Sequence, residues 1–270
     1  MTLHRLTTDG RSKRDLVFAP AGDALLFARQ ETPELISLWR LPLSGGPATR
    51  WHPAAATTEL EPALSRDGRF AAWVQSRGNL ALKLVIEHLP DARQAIFDPG
   101  GGFAGMRTPT FAPDGSRVVF SLPCRGGQQL VSLAPDATGR VELTATAGIN
   151  THPDFSPDGQ QIAFTSTRTG DYEIHILPVA GGDPRRITTS PGMDLRPRWS
   201  PDGRQLAFVS HRDGNYEIYL TDAEGHDPVN LTRNPDRDDF PTWHPRERQL
   251  AFLSERDGQS DIYLLELELD

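Results

Sequence analysis

Residues 197–220 read Pro-Arg-Trp-Ser-Pro-Asp-Gly-Arg-Gln-Leu-Ala-Phe-Val-Ser-His-Arg-Asp-Gly-Asn-Tyr-Glu-Ile-Tyr-Leu, and this stretch decides the fold. Closely similar text begins 44 residues earlier, at Pro153, and 44 residues later, at Pro241. A fixed period of roughly 40 to 50 residues indicates a protein built from one repeated supersecondary unit. The local structure of this stretch therefore predicts the architecture of the chain.

The repeated unit begins as a β-hairpin. Ser200-Pro201-Asp202-Gly203 has the chemistry of a tight turn, because proline pre-sets φ and glycine accepts a left-handed conformation. Trp199 before the turn and Phe208 after it suit buried strands. The loop Arg212-Asp213-Gly214-Asn215 then breaks the chain, and residues 216–220 alternate apolar and polar as a third strand.

A fourth short strand is predicted over Val229-Asn230-Leu231-Thr232, which completes a four-stranded antiparallel sheet of about 44 residues. Such a sheet is one blade of a β-propeller. The turn position recurs near residues 22, 68, 115, 159, 203 and 247, with Glu247 in place of the last glycine. The sequence therefore predicts an all-β, six-bladed propeller that occupies residues 1–270 as a single domain.

Two columns of large apolar residues recur in the same alignment, four positions before the turn position and five positions after it. The first column is Phe18, Leu64, Phe111, Phe155, Trp199 and Trp243. The second column is Phe27, Trp73, Phe120, Phe164, Phe208 and Phe252. We expect both columns to form the core between neighbouring blades.

The ends of the chain predict how the ring closes. Fourth strands end near an apolar-threonine pair, at Leu143-Thr144, Ile187-Thr188 and Leu231-Thr232, and the last unit lacks this text. A similar pair, Leu6-Thr7, lies near the N-terminus. We expect residues 3–8 to complete blade six, because closure removes an open sheet edge.

Composition limits the classes of partner and compartment. The chain has 270 residues and a net charge of −8, which argues against nucleic acid as a partner. No apolar run is long enough to span a membrane, and the single Cys124 excludes an internal disulfide. No secretory signal is recognisable, so the chain as written is expected in the cytoplasm, or in the periplasm as a trimmed form. We expect a monomer.

Candidate ligand-binding residues directly precede the position of each unit that holds the first-strand proline, which is leucine in the first unit. They are Asp15, Glu61, Thr108, His152, Arg196 and Phe240, with Asp194 and Asp238 close by in the sequence. Alternating strand direction places this column at the channel mouth, and it differs in every unit, as a binding face on a repeated scaffold should. A solvated rim without a ligand is the alternative.

The same residues are also candidates for a metal site, and the sequence was searched for catalytic motifs. Asp15, Glu61 and His152 could hold a calcium ion in the channel, although no ligand spacing requires it and no other cofactor is predicted. Arg168, Arg212 and Arg256 repeat with the fold, so we expect each to hold its own loop by pairing with a local carboxylate or carbonyl. The common hydrolase, metalloprotease and phosphate-loop motifs are absent, so no catalytic residue is predicted.

The repeat Pro-x-[Trp/Phe]-Ser-Pro-Asp-Gly, followed by Ala-Phe-x-Ser-x-Arg-x-Gly and Ile-Tyr, resembles the propeller of the TolB family, most clearly over residues 153–264. Related repeats, which resemble WD40-like units, occur in the gating propellers of prolyl-oligopeptidase-like and tricorn-like peptidases. The TolB resemblance implies a propeller that binds protein partners, with a peptide bound at the channel mouth. It also implies an exported protein with an additional N-terminal α/β domain.

Three hypotheses of function follow. The first is a non-catalytic binding or scaffold propeller that engages a protein segment or a small ligand at the channel mouth. The second is a metal-dependent hydrolase or lyase with its site at the same mouth. The third is an accessory propeller of a peptidase.

Overall fold

A computed structural model of the chain describes residues 1–76, 82–100, 105–124 and 126–268. These residues form 24 β-strands and one short 3-10 turn, Arg256–Gly258. No α-helix occurs among them, and accordingly no helix in this part of the chain could cross a membrane. The fold is an all-β propeller with four-stranded antiparallel blades, as the sequence predicts.

Four sheets have four strands each. One contains β2 (Lys13–Phe18), β3 (Ala24–Thr32), β4 (Leu35–Pro42) and β5 (Thr49–Arg50). The next contains β6 (Thr58–Leu64), β7 (Phe70–Ser76), β8 (Leu82–His88) and β9 (Arg93–Phe97). Another contains β18 (Asp194–Trp199), β19 (Gln205–Ser210), β20 (Glu217–Asp222) and β21 (Val229–Asn230). The fourth contains β22 (Asp238–Trp243), β23 (Gln249–Ser254), β24 (Asp261–Glu266) and β1 (Thr2–Arg5).

One further sheet has eight strands and joins two consecutive units. The first unit is β10 (Arg107–Phe111), β11 (Val118–Cys124), β12 (Gly127–Leu133) and β13 (Val141–Glu142). The second unit is β14 (Gly148–Phe155), β15 (Gln161–Ser166), β16 (Glu173–Pro178) and β17 (Arg185–Arg186). A short parallel pairing of β12 with β14 connects them, and it consists of Gly127 with Gly148 and Gln128 with Ile149.

The turn chemistry predicted at residues 200–203 is present. Gly203 has φ of 72°, and its N–H donates to the carbonyl of Ser200 at 2.9 Å. The Ser200 hydroxyl donates to Asp202 at 2.6 Å and accepts the N–H of Gln205 at 3.0 Å. Side chains and backbone together therefore satisfy the polar groups of this hairpin turn.

The turn at Glu247 has a different cap, as expected from its missing glycine. The Nδ1 atom of His244 accepts the backbone N–H of Glu247 at 2.9 Å and that of Arg246 at 3.3 Å. The opposite ring nitrogen lies 3.2 Å from the carbonyl oxygen of Gly22 in the neighbouring blade. One histidine thus holds this turn and links it to the next sheet.

The predicted core lies between the blades. The column of Phe27, Trp73, Phe120, Phe164, Phe208 and Phe252 is fully buried. In the other column, Leu64 and Phe155 are only half-buried, whereas the remaining members are buried. Burial of one such aromatic side chain stabilises the fold by roughly 1.5–3 kcal/mol, so these columns hold neighbouring blades together.

The N-terminal strand β1 lies at the outer edge of the sheet formed by β22, β23 and β24. Beyond it, the Thr7 hydroxyl donates to Asp261 at 2.6 Å and accepts the N–H of Ile262 at 3.0 Å. Thr188 makes the same two contacts in its own blade, with Glu173 at 2.5 Å and with the N–H of Ile174 at 2.9 Å. The first residues of the chain therefore supply the last sheet with contacts that the β14–β17 unit obtains from Thr188, just after its own fourth strand.

Candidate binding channel

The first strand of every blade carries a bulge at the same place. Each pairing of a first strand with its second strand shows a register shift there. The residues at the shift have φ between 51° and 58°, and they are Asp15, Glu61, Thr108, His152, Arg196 and Phe240. We call these six residues the bulge column, and they are the candidate residues that the sequence placed before the first-strand proline position of each unit.

Positive φ is unfavourable for residues other than glycine, and especially for the β-branched Thr108 and the bulky Phe240. Such conformations cost on the order of 1–3 kcal/mol each and persist where the surrounding structure enforces them. A β-bulge of this kind re-aims a side chain, and bulges are common next to functional sites. The bulge column is therefore a repeated, strained backbone feature.

All six residues of the bulge column line a single small cavity in the channel, with a volume of about 30 Å³. Pro62, Pro109 and Pro241 follow three of them and also line it, together with Leu16 and Arg198. The structure thus brings together six of the eight candidate residues. Arg198 was missed because it lies two positions beyond the bulge, where strand alternation alone does not identify a channel-facing side chain.

Hydrogen bonds connect one half of the bulge column from blade to blade. The Asp15 carboxylate accepts the backbone N–H of Glu61 at 3.2 Å. The Glu61 carboxylate accepts the N–H of Thr108 at 2.6 Å, and the Thr108 hydroxyl accepts the N–H of His152 at 3.1 Å. In this half, each side chain holds the strained backbone of the following blade.

The other half of the bulge column has different contacts. The N–H of Arg196 donates to the Thr165 hydroxyl at 3.1 Å, and the N–H of Phe240 donates to Asp239 at 2.7 Å. The N–H of Arg196 thus bypasses the His152 side chain, and Arg196 itself has no acceptor to offer the N–H of Phe240. The Nδ1 atom of His152 is buried and has no hydrogen-bond partner among the described residues. The Arg196 guanidinium lies over the Phe240 ring, 4.4 Å from its centroid.

Glu61 is an acid of the channel whose pKa is raised. It is 6% exposed, and its burial together with the Asp15 carboxylate raises the pKa of Glu61 to about 7. The guanidinium groups of Arg107, at 3.5 Å, and Arg14, at 3.8 Å, oppose this shift. Glu61 is therefore only partly ionised near neutral pH.

His152 is perturbed in the opposite sense. Burial lowers the pKa of His152 well below its usual value, and the nearby charges of Arg196 and Arg198 lower it further. The imidazole is consequently neutral at physiological pH and can accept a hydrogen bond through its unpartnered nitrogen.

A pocket of about 320 Å³ opens beside the residues that precede the bulges of β2 and β22, and we call it the mouth pocket. Arg14, Arg196 and Arg237 reach it from three blades, and Asp239 and Phe240 also line it. Asp239 accepts from Arg237 at 2.6 Å and lies 3.4 Å from Arg196. The mouth pocket thus combines cationic groups with one aromatic face.

Residues that follow the bulges line a second opening of about 180 Å³ on the turn side of the channel. Its walls include Phe18, Trp199 and Trp243 from the predicted core columns, and its polar groups include Asp154 and Arg198, which are 3.3 Å apart. Burial raises the pKa of Asp154, while Arg198 acts against that shift. The two openings therefore differ: the mouth pocket is rich in arginine, and the turn-side opening is lined mainly by proline and aromatic side chains.

The structure does not bring Asp194 and Asp238 into the channel cavity. Both are buried beneath the loops of their own blades, where Asp194 pairs with Arg212 at 3.2 Å and Asp238 lies 3.6 Å from Arg256. Arg168 makes the equivalent contact with the Asn150 amide oxygen at 3.0 Å. The predicted loop-holding role of the three arginines is thereby confirmed, and it accounts for the position of both aspartates.

Asp238 remains electrostatically unusual. Its burial raises the pKa of Asp238 to about 6, although Ser254 and Arg256 favour the ionised form. The contact lies within its own blade, so this shift belongs to the loop arrangement rather than to the channel.

The channel geometry does not favour a cation. Within the described ranges, no group of three or more histidine, cysteine or acidic side chains is arranged to hold a metal ion. Arg107 and Arg14 already lie within 4 Å of Glu61, and Arg14 donates to Asp15 at 2.8 Å. These guanidinium groups occupy the positive positions that calcium would need around the two carboxylates.

Comparison with solved structures identifies the same architecture in proteins of low sequence identity. A protein assigned as TolB from Agrobacterium tumefaciens is 21% identical with a TM-score of 0.76, covering 99% of this chain and 97% of that one. TolB from Acinetobacter baumannii is 22% identical with a TM-score of 0.70, covering 92% of this chain and 62% of that one. A gluconolactonase from Xanthomonas campestris is 16% identical with a TM-score of 0.72, covering 98% of this chain and 89% of that one. At these identities the likeness concerns the fold alone.

Comparison with curated protein sequences finds no match. The family model described as TolB beta propeller domain matches residues 49–192 and 186–269, which together make up most of the chain. The chain therefore belongs to the TolB beta propeller domain family.

Proposed function

We propose that this propeller is a binding module that engages a protein segment or a small ligand through the mouth of its channel. The observation that carries the proposal is the bulge column, in which six different side chains on left-handed backbone line one cavity. Strain of this kind is retained where the surrounding structure holds it, and it clusters at ligand sites. Six different residues on one repeated scaffold are what a specific binding surface needs.

The proposed contacts are divided between the two halves of the bulge column. Asp15, Glu61 and Thr108 hold the channel wall, because their side chains accept backbone N–H groups of neighbouring blades. His152, Arg196 and Phe240 make the ligand contacts. In support of this, the Nδ1 atom of His152 has no partner among the described residues, and Arg196 and Phe240 face the mouth pocket.

The cavity sizes determine how a ligand is proposed to enter. The mouth pocket has about 320 Å³, comparable to a small-molecule site, whereas the cavity at the bulge column has only about 30 Å³. A side chain or a chain end therefore fits in the mouth and reaches the bulge column with a single small group. A polypeptide does not fit through the constriction.

We also infer that the ring has six blades. The eight-stranded sheet consists of two units of four consecutive strands, and the six bulges fall in six separate first strands. In this count, β1 completes the last blade, beside β24. The whole chain is then a single propeller domain.

A peptide selection tests the proposed function. Immobilised protein is used to select a displayed library of random peptides, and the enriched peptides are synthesised and measured by calorimetry. We expect binding to the unmodified protein and to the control Arg185→Ala, which changes an exposed arginine on β17. We expect at least about tenfold weaker binding to Arg196→Ala, because a charge-assisted contact is lost. Peptides that bind the Arg196→Ala and Phe240→Ala proteins unchanged would place the site elsewhere.

A hydrolase at the same channel is the second candidate, and one observation favours it. The pKa of Glu61 is about 7, which suits a general base near neutral pH. Hydrolysis of a sugar lactone, followed with and without chelator, provides the test. Turnover by the unmodified protein that disappears in Glu61→Gln supports catalysis, and equal rates in both proteins exclude this role of Glu61.

A further inference from the structure

A further pocket lies on the side of the ring, away from the channel. It has a volume of about 430 Å³ and is lined by residues of both the β10–β13 blade and the β14–β17 blade. We call it the lateral pocket. Its apolar lining consists mainly of Val119, Val141, Phe155, Ile162, Leu177 and Val179. Val141 and Val179 are 49% and 46% exposed, so the apolar surface continues to the solvent.

The sequence explains why a space exists between these two blades. In the β10–β13 blade, Ser132 on β12 pairs with Val119. In the next blade, Ile176 occupies the position equivalent to Ser132 and pairs with Ala163. Ile176 packs in one core cluster with Trp199. In the lateral pocket, by contrast, the smaller Ser132 faces the same space as Phe155. The next interface again has large residues, Leu220 and Trp243, in one cluster. The lateral pocket therefore lies where Ser132 and Phe155 stand in place of the larger Ile176 and Trp199 of the next interface.

A cationic group stands at the edge of this apolar space. The Arg117 guanidinium donates to the Ser132 hydroxyl at 2.7 Å and to the carbonyl of Gly139 at 2.7 Å, both through one terminal nitrogen. In the part of the chain that the structure describes, no carboxylate lies within ion-pair distance of Arg117. Glu142 also lines the pocket, but its carboxylate pairs with Arg140 at 2.8 Å.

Arginine at this place is peculiar to one unit of the repeat. The residues two positions after the turn position are Ala24, Phe70, Arg117, Gln161, Gln205 and Gln249. The unit with the smallest packing residue, Ser132, thus also supplies the unpaired cation. Guanidinium groups recognise carboxylates through two parallel hydrogen bonds, and Arg117 retains free donors for this.

We propose that the lateral pocket binds an amphiphilic monocarboxylate, with its unbranched apolar tail between the two blades and its carboxylate on Arg117. The tail contacts Val141, Phe155 and Val179, and burial of these partly exposed side chains supplies the affinity. The charge of Arg117 supplies the selectivity for an anionic head group. This site is independent of the bulge column and of the function proposed for the channel.

Binding of three twelve-carbon probes tests the proposal. Dodecanoate, dodecanol and dodecyltrimethylammonium share a tail and differ in the charge of the head group, and each is measured by calorimetry below its micelle concentration. We expect dodecanoate to bind at least about tenfold tighter than dodecanol, corresponding to one charge-assisted contact, and the cation to bind most weakly. Equal binding of all three probes, or no binding of dodecanoate, overturns the proposal.

Substitutions in and outside the lateral pocket test where the probes bind. Arg117→Gln should weaken dodecanoate about tenfold and leave dodecanol unchanged, because only the charged contact is removed. Val141→Asp, at an exposed position, should weaken both probes, whereas the matched Val229→Asp on β21 should weaken neither. Dodecanoate binding that survives both Arg117→Gln and Val141→Asp contradicts the assignment. A dimer in sedimentation that Val141→Asp dissociates would instead assign this surface to a second copy of the chain.

Discussion

The two halves of the bulge column share one backbone geometry and differ in what their side chains do. Asp15, Glu61 and Thr108 each accept an N–H from the following blade. Beyond them, the N–H groups of Arg196 and Phe240 donate to Thr165 and Asp239, outside the bulge column, so no side chain of this half accepts an N–H from the following blade. The side chain at a repeated bulge can therefore either hydrogen-bond to the next blade or contact a ligand. Which role it serves depends on whether the side chain at the bulge is needed as an acceptor.

The largest expected effect concerns Glu61 and pH. The pKa of Glu61 in the folded protein, about 7, lies above its ordinary value, so protonation favours the folded state. Its stabilising effect is complete below the ordinary value near 4.5 and is lost as the pH rises to about 7. From this group we expect the free energy of unfolding to fall by up to about 3 kcal/mol between pH 4.5 and pH 8.

Glu61→Gln removes that titration and keeps an oxygen acceptor for the N–H of Thr108. Denaturant unfolding at both pH values should consequently show a smaller pH dependence for the variant than for the unmodified protein. Identical pH dependence in the two proteins would mean that the wall half of the bulge column does not contain a destabilised carboxylate.

The second effect is on peptide affinity, which should change with a variant in one half of the bulge column and not with a variant in the other. Once a peptide has been selected, Arg196→Ala should weaken its affinity about tenfold or more, through loss of a charged contact. Thr108→Ser keeps the acceptor for the N–H of His152 and should leave affinity within about twofold. If Thr108→Ser and Arg196→Ala weaken binding equally, the division of the bulge column into wall and ligand contacts is wrong.

The smallest effect is on stability and has opposite signs in the two halves. His152→Gly relieves a left-handed residue and removes a buried nitrogen without a partner among the described residues, so we expect a gain of about 1 kcal/mol. Thr108→Gly relieves similar strain but leaves the N–H of His152 without its acceptor. We expect a net loss of about 1 kcal/mol for that variant. Thermal and denaturant unfolding measure both, and equal signs would refute the distinction.

Much of the frame could be predicted from the sequence because its chemistry is local. The turn at Gly203 and the buried Phe208 follow from residue type and spacing, and the structure has both. The contacts of Thr7 with the last blade were also predictable, since an apolar-threonine pair recurs at the ends of fourth strands.

The candidate site could be predicted only in part. The sequence indicated the positions of the bulge column, but a left-handed Phe240 or Thr108 contradicts local preference and arises from packing around the channel. Asp194 and Asp238 are close to this column in sequence, yet they lie under the loops with Arg212 and Arg256. The lateral pocket depends on a pair from different blades, Ser132 and Phe155, whose proximity no local pattern reveals.

The central claim is that a ligand enters through the mouth pocket and contacts His152, Arg196 and Phe240. A crystal structure of the protein with a selected peptide tests it most directly. We predict peptide density in the mouth pocket, with an acceptor within hydrogen-bonding distance of Arg196 and an apolar group on the Phe240 ring. Density at the aromatic opening beside Trp199 and Trp243, or on the outer strands, would contradict this account.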